Sequence, residues 1–155
     1  MDAPQRKKVP SQTAISLKHS GRHDEIGGVY HELYEWAGAR KVQVTGSGLT
    51  IFLQAPNEFD PNSGLFEVCL PVKAGAKGDG RIAVKELSGC TVASVVVKGP
   101  YSQIPAHYTE LLAWLSAEGW EIAGAPREVY IKRPSRSGKP DPSQFVTEIQ
   151  FPIKD

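Results

Sequence analysis

The chain has 155 residues, of which 40% are hydrophobic and 23% charged, and its formal net charge is +1. This composition is typical of a soluble globular protein, and the small net charge excludes a general attraction to nucleic acid or to anionic membranes. No apolar stretch approaches the length of a membrane span, and the basic residues at positions 6–8 are not followed by the apolar segment of a signal peptide.

The first half of the chain predicts the order β-α-β-β. Residues 1–8 are polar, and we expect them to be frayed. Alternating apolar and polar residues predict a strand over 13–19. A helix follows from about Asp24 to Gly38, because Ile26, Tyr30 and Leu33 recur at helical spacing. Further strands are predicted over 49–53 and 66–72, separated by a loop over 55–64.

The second half predicts the same order. Residues 74–80 are Gly-rich and predict a flexible connector, and residues 81–87 predict an extended lead-in. The Val-rich run over 91–97 predicts a strand. A helix then begins near Ser102 or Pro105 and ends before Gly119. Strands over 127–133 and 145–153 flank a basic loop over 134–142.

The two halves share a repeated pattern. Identical residues recur 78 positions apart, at Gly21/Gly99, Ile26/Ile104, Tyr30/Tyr108, Glu32/Glu110, Leu33/Leu111, Trp36/Trp114 and Gly46/Gly124. The closing strands repeat 81 positions apart, at Glu67/Glu148 and Pro71/Pro152. We therefore predict one α+β domain over 1–155, with half-repeats at about 9–73 and 81–154 and a connector at 74–80. Two β-α-β-β halves related by pseudo-two-fold symmetry predict a curved antiparallel sheet, two main helices and a central ligand groove.

Carboxylates and aromatic residues mark a candidate pocket. Strand periodicity places Glu67 and Glu148 opposite the aliphatic face of their strands. The residues predicted to surround the pocket are Glu67, Glu148, Phe52, Tyr130 and Glu128. A carboxylate among aromatic rings attracts a lipophilic cation. With its pKa raised by burial, it also serves as a general acid or base. The alternative is a solvated sheet face, where most glutamates lie.

Matched aromatic residues on the helices have two interpretations. Trp36 and Trp114 lie on the flank of each helical stripe, where they either line the groove or pack in the core. Tyr30 and Tyr108 lie within the stripes, which favours core packing, although their hydroxyl groups need partners. Tyr108 is therefore also a candidate ligand contact.

The sequence predicts no metal site and no cofactor. The four histidines form no cluster with cysteine or carboxylate ligands. The Gly-rich segment 75–80 precedes a strand, and a phosphate-binding loop instead joins a strand to a helix. The two cysteines, Cys69 and Cys90, form no metal-spaced pair and favour a reducing cytoplasm.

Several motifs carry a family resemblance. They are Lys98-Gly99-Pro100-Tyr101, the helix from Tyr108 to Trp114, Arg127-Glu128-Val129-Tyr130, residues 147–153, Ser20-Gly21, Trp36 and residues 67–72. In this order and spacing the chain resembles the GyrI-like small-molecule-binding family. That family includes effector-binding domains of AraC-type and MerR-type multidrug regulators and a DNA gyrase inhibitor.

The resemblance implies the duplicated β-α-β-β fold and a central groove for bulky, aromatic, often cationic compounds. It also implies a buried glutamate ringed by aromatics, a role that we assign first to Glu148. One branch resembles hydrolases that open reactive cyclopropane rings, in which a pocket glutamate promotes attack by water. Two features depart from the family. No helix-turn-helix precedes residue 9, so this chain alone is not expected to bind DNA, and Gly21-Arg22-His23 replaces Gly99-Pro100-Tyr101.

Three functions are consistent with these observations. The preferred one is cytoplasmic binding, for sensing or sequestration, of a bulky hydrophobic or aromatic small molecule, with cationic compounds included. The first alternative is a hydrolase with Glu148 or Glu128 as general acid or base, and with Trp36, Trp114 and Tyr130 holding the substrate. The second is a protein-interaction role such as gyrase inhibition. No oligomeric state is predicted. We expect function at positions where the halves differ, as at Thr50/Glu128 and Phe52/Tyr130.

Overall fold

The computed structural model describes residues 3–22, 25–53, 64–100, 103–132 and 145–154. The elements, in chain order, are β1 (Gln5–Val9), β2 (Gln12–Gly21), α1 (Ile26–Ala39), β3 (Leu49–Phe52), β4 (Gly64–Pro71), β5 (Ala83–Leu87), β6 (Cys90–Lys98), α2 (Ile104–Ala117), β7 (Arg127–Lys132) and β8 (Val146–Ile153). They form two compact units. The first unit comprises residues 10–89, and the second unit comprises residues 1–9 and 90–155.

In the first unit, β3, β4, β2 and β5 pair antiparallel in that order. The apolar stripe of α1 is buried at Val29, Tyr30, Leu33 and Ala37, and the helix contacts β4 and β2. Leu33 is fully buried. Removal of such a side chain from water contributes about 1.5–3 kcal/mol to the stability of the fold.

In the second unit, β1, β6, β8 and β7 pair antiparallel in that order. One core cluster joins alternate residues of β6 and β8 to the stripe of α2, as period 2 and period 3.6 require. Its members are Ala93, Val95, Val97, Ile104, Leu111, Leu115, Ile149, Phe151 and Ile153. The face of β8 that carries Ile149 and Phe151 is therefore the face that α2 covers, which we call the helix face.

The predicted α+β class is confirmed, because the described residues form two α-helices and eight antiparallel strands. Each helix has 14 residues, and the helices begin at Ile26 and Ile104. Asp24, Ser102, the predicted loop at 134–142 and all but Gly64 of the predicted loop at 55–64 lie outside the described residues. The single domain over 1–155 and its central groove stay predictions. No helix in the described part of the chain is long and apolar enough to cross a membrane.

The edge strands correct two expectations. Residues 1–8 were expected to be frayed, but β1 forms a ladder with β6 from Gln5↔Ser94 to Val9↔Cys90. Residues 81–87 were expected to lead into the second half, but β5 pairs with β2 of the first unit. β1 and β5 thus occupy equivalent positions, 78 residues apart, and each completes the unit built by the other half of the sequence. The predicted half-repeat from residue 9 lacked β1, and β5 was assigned to the second half-repeat, because strand pairing is set by tertiary contacts.

Candidate functional site

The second unit places Glu128 between two tyrosine hydroxyl groups. The Tyr108 hydroxyl donates to Oε2 of Glu128 over 3.0 Å, and the Tyr130 hydroxyl donates to Oε1 over 3.4 Å. Tyr108 belongs to α2, whereas Glu128 and Tyr130 belong to β7. Three residues that the sequence predicted as ligand or catalytic candidates therefore meet at one point.

Strand register explains this meeting. Glu128 is the register partner of Ile149, and Tyr130 is the register partner of Thr147. Because residues opposite each other in an antiparallel ladder point to the same side, both side chains lie on the helix face. The ring of Tyr108 packs edge-on against Phe151, with 5.7 Å between centroids, and this contact fixes its position above the carboxylate.

Burial governs the charge of this carboxylate. Desolvation raises the pKa of Glu128 to about 7, and the hydrogen bonds from Tyr108 and Tyr130 oppose part of that shift because they favour the ionised form. Burial and the neighbouring Glu128 charge raise the pKa of Tyr108 well above its ordinary value, so this hydroxyl keeps its proton. At neutral pH both protonation states of Glu128 are populated.

The partners of Glu128 set it apart from the other two predicted carboxylates. Among the residues that the structure describes, the two tyrosine hydroxyl groups are its polar partners, and no basic side chain forms an ion pair with it. Lys7 of β1 lies 2.6 Å from Glu148, and Lys85 of β5 lies 2.9 Å from Glu67. Glu148 and Glu67 are thus neutralised by lysines from the edge strands.

The two proposed catalytic glutamates lie on different faces of the second unit. Glu148 is opposite Val96 and Val129 in register, so its side chain points away from the helix face that carries Glu128. The structure brings Glu128 together with Tyr108 and Tyr130, and does not bring Glu148 to them. Glu67 pairs with Ile51, and Phe52 pairs with Phe66, so Glu67 and Phe52 likewise occupy opposite faces in the first unit.

The tryptophans have neighbours of their own. The Arg40 guanidinium lies 4.7 Å from the centre of the Trp36 ring and also pairs with Asp79. Trp114 packs edge-on against Trp120 at 4.8 Å. The sequence found no counterpart for Trp120 in the first half, and the structure shows that it extends the packing around α2. Roles of Trp36 and Trp114 in ligand binding stay predictions.

The first unit carries different chemistry at the equivalent positions. Thr50 pairs with Val68 and Phe52 with Phe66, in the register that Glu128 and Tyr130 occupy in the second unit. The Tyr30 hydroxyl donates to the Cys69 carbonyl oxygen over 3.3 Å, instead of to a carboxylate. Its ring lies so close to Gly48 that a Cβ there would approach the ring to 2.3 Å. The sequence differences at Thr50/Glu128 and Phe52/Tyr130 thus coincide with the carboxylate site.

Among the residues that the structure describes, three histidines contact carboxylates close to them in sequence. His19 contacts Glu25, His31 contacts Glu35 and His107 contacts Glu110. Within the described ranges, no group of three or more His, Cys, Asp or Glu side chains is arranged to hold a metal ion.

Comparison with known proteins assigns the family. A sequence model of the GyrI-like small molecule binding domain matches residues 3–154. The chain belongs to this family. It is thus a small-molecule-binding domain in the broad sense of that description. A comparison with curated proteins found no match.

Solved structures share the GyrI-like fold. The crystal structure of the EcmrR C-terminal domain matches with a TM-score of 0.81 and 23% identity, over 99% of this chain and 98% of that chain. EcmrR in a DNA complex, solved by cryo-EM, matches with a TM-score of 0.82 and 24% identity, over 99% of this chain and 57% of that chain. This chain therefore spans 57% of the length of EcmrR in that complex.

Two further solved structures with this fold are a complex with an organic cation and a hydrolase. SAV2435 bound to tetraphenylphosphonium matches with a TM-score of 0.64 and 12% identity, over 99% of this chain and 94% of that chain. A hydrolase encoded by lin2189 from Listeria innocua matches with a TM-score of 0.73 and 13% identity, over 97% of this chain and 91% of that chain. At these identities the likeness is one of fold.

Proposed function

We propose that this GyrI-like domain binds a hydrophobic organic cation, for sensing or sequestration, with Glu128 as the counter-ion. The observation that carries this proposal is the half-buried Glu128 carboxylate, which contacts two tyrosine hydroxyl groups and no basic side chain among the described residues. Glu67 and Glu148 already have lysine partners. Glu128 is therefore the carboxylate whose charge a ligand would balance.

The physics of burial favours a cation of this class. An ionised carboxylate removed from water is unfavourable without a counter-charge, and this cost is what raises the pKa of Glu128. A bound cation supplies the counter-charge and stabilises the ionised form. The rings of Tyr108 and Tyr130 add apolar contact and cation–π attraction, which is roughly 0.5–2 kcal/mol per ring.

The SAV2435 structure supports the choice of probe. That protein was solved with tetraphenylphosphonium, a bulky aromatic cation, and it shares the fold of this chain. A permanent cation without hydrogen-bond donors also tests charge and aromatic contact separately from hydrogen bonding. Tetraphenylphosphonium is therefore the first ligand to measure.

A second candidate function uses the same carboxyl group as a catalyst. A pKa of about 7 is the value that suits a general acid or base at neutral pH. Glu128 would take a proton from water as the water oxygen attacks a carbon of an electrophilic cyclopropane. The cleaved carbon–carbon bond would keep its electron pair on the electron-withdrawing part of the substrate, which then takes up a proton.

The experiment is a calorimetric titration of tetraphenylphosphonium into the wild type, Glu128→Gln and Glu118→Gln. Glu118 is an exposed carboxylate at the end of α2 and serves as the control. We expect Glu128→Gln to weaken binding at least tenfold, which corresponds to about 1.4 kcal/mol, and Glu118→Gln to leave it unchanged. Equal affinity for all three proteins would refute the proposal. Turnover of an electrophilic cyclopropane, followed by mass and lost in Glu128→Gln alone, would establish the hydrolase instead.

A further inference from the structure

Thr147 carries a buried hydroxyl group without a partner. It lies in β8 and is 1% exposed. Its Oγ1 atom has no hydrogen-bond partner among the residues that the structure describes. Such a group loses its hydrogen bonds to water without replacing them, which is uncommon in folded proteins and calls for an explanation.

The position of Thr147 connects it to the Glu128 site. Thr147 is the register partner of Tyr130 and lies two residues before Ile149, the register partner of Glu128. Its side chain therefore shares the helix face with both, as a direct neighbour of Tyr130 and a diagonal neighbour of Glu128. Diagonal neighbours lie about 7–8 Å apart, within reach of one ligand group.

The first unit shows that the fold does not require a hydroxyl at this position. Phe66 occupies the equivalent place, pairs with Phe52 as Thr147 pairs with Tyr130, and is fully buried. Its ring packs against His19 with 5.3 Å between centroids. The second unit, which carries Glu128, thus has Thr147 at the position where the first unit has the apolar ring of Phe66.

The polar groups around Glu128 are rich in hydrogen-bond acceptors. The Tyr108 hydroxyl directs its proton to the carboxylate, so its oxygen lone pairs remain as acceptors. The Thr147 oxygen also accepts, and the carboxylate has lone pairs beyond the two that the tyrosines use. A ligand that fits this set carries its positive charge on a group with N–H donors.

We propose that the Thr147 hydroxyl accepts a hydrogen bond from an N–H group of the ligand, so that the site prefers protonated amines to quaternary cations. This inference rests on the proposed function, because it assumes that the ligand charge lies at Glu128. Thr147 is then a specificity-determining residue: Glu128 provides the attraction for any cation, and Thr147 distinguishes one class of cation from another.

The test compares two cations with the same biphenyl group, biphenylmethyl-methylammonium, which has one N–H for Glu128 and one for Thr147, and biphenylmethyl-trimethylammonium, which has none. Calorimetric titration of the wild type is expected to show at least a roughly fivefold preference for the N–H cation, since a net hydrogen bond contributes about 1 kcal/mol. Thr147→Val keeps the shape and removes the hydroxyl. It should reduce this preference roughly fivefold and leave the affinity for the quaternary cation unchanged, whereas Thr147→Ser should retain the full preference.

Two results would overturn the inference. One is equal affinity of the wild type for the two cations. The other is a preference of the same size in Thr147→Val, which is the result expected if the ligand N–H groups donate to Glu128 and not to Thr147. If neither cation binds, the proposed function itself fails. If both bind through Glu128 with equal affinity, only the role of Thr147 fails.

The melting temperature of Thr147→Val distinguishes a role of Thr147 in ligand selection from a role in stabilising the fold. Because Thr147→Val removes a buried group that has no partner among the described residues, its ligand-free melting temperature should equal or exceed that of the wild type. A lower melting temperature would show that the hydroxyl has a partner in the folded protein, and would contradict the proposal.

Discussion

The side chains around Glu67, Glu128 and Glu148 give these carboxylates two different environments. Lysines from the edge strands lie within 3 Å of Glu67 and Glu148, whereas Glu128 faces Tyr108 and Tyr130. Hydrogen bonds from neutral hydroxyl groups stabilise a carboxylate less than a counter-charge does. The ionised form of Glu128 is therefore the one left for a ligand to stabilise.

Replacement of this carboxylate should raise stability where it is charged. The folded-state pKa of Glu128, about 7, exceeds the ordinary value of 4.5. The folded protein therefore binds this proton more tightly than the unfolded chain, and the resulting stability is present at acidic pH and lost as the pH rises through the window from 4.5 to about 7. The free energy of unfolding of ligand-free Glu128→Gln, relative to that of the wild type, should therefore increase by about 2–3 kcal/mol between pH values of about 4.5 and 8. Urea unfolding at the two pH values measures this.

Glu118→Gln provides the baseline for that experiment, because its carboxylate is exposed. It should show little difference between the two pH values. A Glu128→Gln variant with the same pH dependence as the wild type would mean that the Glu128 carboxyl titrates normally.

At the residue level, the candidate residues named from the sequence include the three that meet at Glu128, but the sequence did not group them. The mismatched pairs Thr50/Glu128 and Phe52/Tyr130 pointed to the Glu128 site, because a shared fold explains matched residues and not mismatched ones. The preference for Glu148 over Glu128 came from the family resemblance, whereas the faces of the two side chains depend on strand register. The lysine partners did leave a signal, since Lys7 and Lys85 recur 78 positions apart alongside the recurring Glu67 and Glu148.

Among the secondary-structure elements, β1 and β5 are edge strands whose lysines reach into the sheet. Lys7 is 38% exposed at its side chain and Glu148 is 6% exposed, and the pair Lys85–Glu67 shows the same values. Charged residues on edge strands hinder pairing with other chains. Here one lysine of each edge strand also neutralises a buried carboxylate.

Loss of the lysine should therefore destabilise the second unit. Lys7→Met keeps most of the side chain and leaves Glu148 without its cation. The free energy of unfolding should fall by roughly 1–2 kcal/mol, and no more, because water screens the partly exposed lysine. Addition of Glu148→Gln should recover most of this loss. Urea unfolding of the single and double variants measures both effects.

Lys8→Met is the matched control, because Lys8 lies next to Lys7 in β1 and is exposed. It should change stability by no more than about 0.5 kcal/mol. Equal losses for Lys7→Met and Lys8→Met would show that the ion pair contributes nothing.

The helices and central strands were predictable, whereas β1 and the partner of β5 were not. The stripe of Ile26, Tyr30 and Leu33 predicted α1 to within a residue of its end at Ala39. β1 has the sequence Gln-Arg-Lys-Lys-Val, in which no alternation of apolar and polar residues marks a strand. Its hydrogen bonds to β6 come from the backbone, which side-chain patterns do not reveal.

For the whole molecule, the repeated sequence predicted two similar helices and the α+β class, and the family match agrees with it. The assignment of β1 to the second unit and of β5 to the first depends on long-range pairing that a 78-residue period does not specify. At equivalent positions of the two units, the second unit has the Glu128 carboxylate and the first unit has Thr50. Ligand chemistry is therefore expected from the second unit.

Proton release on cation binding tests the central claim most directly. At a pH near 7, about half of the Glu128 carboxyl groups carry a proton, and a bound cation should expel it. Titration of tetraphenylphosphonium in buffers of different ionisation enthalpy should therefore show roughly half a proton released per cation bound to the wild type, and none for Glu128→Gln. Binding to the wild type without proton release, or equal release by Glu128→Gln, would contradict the account.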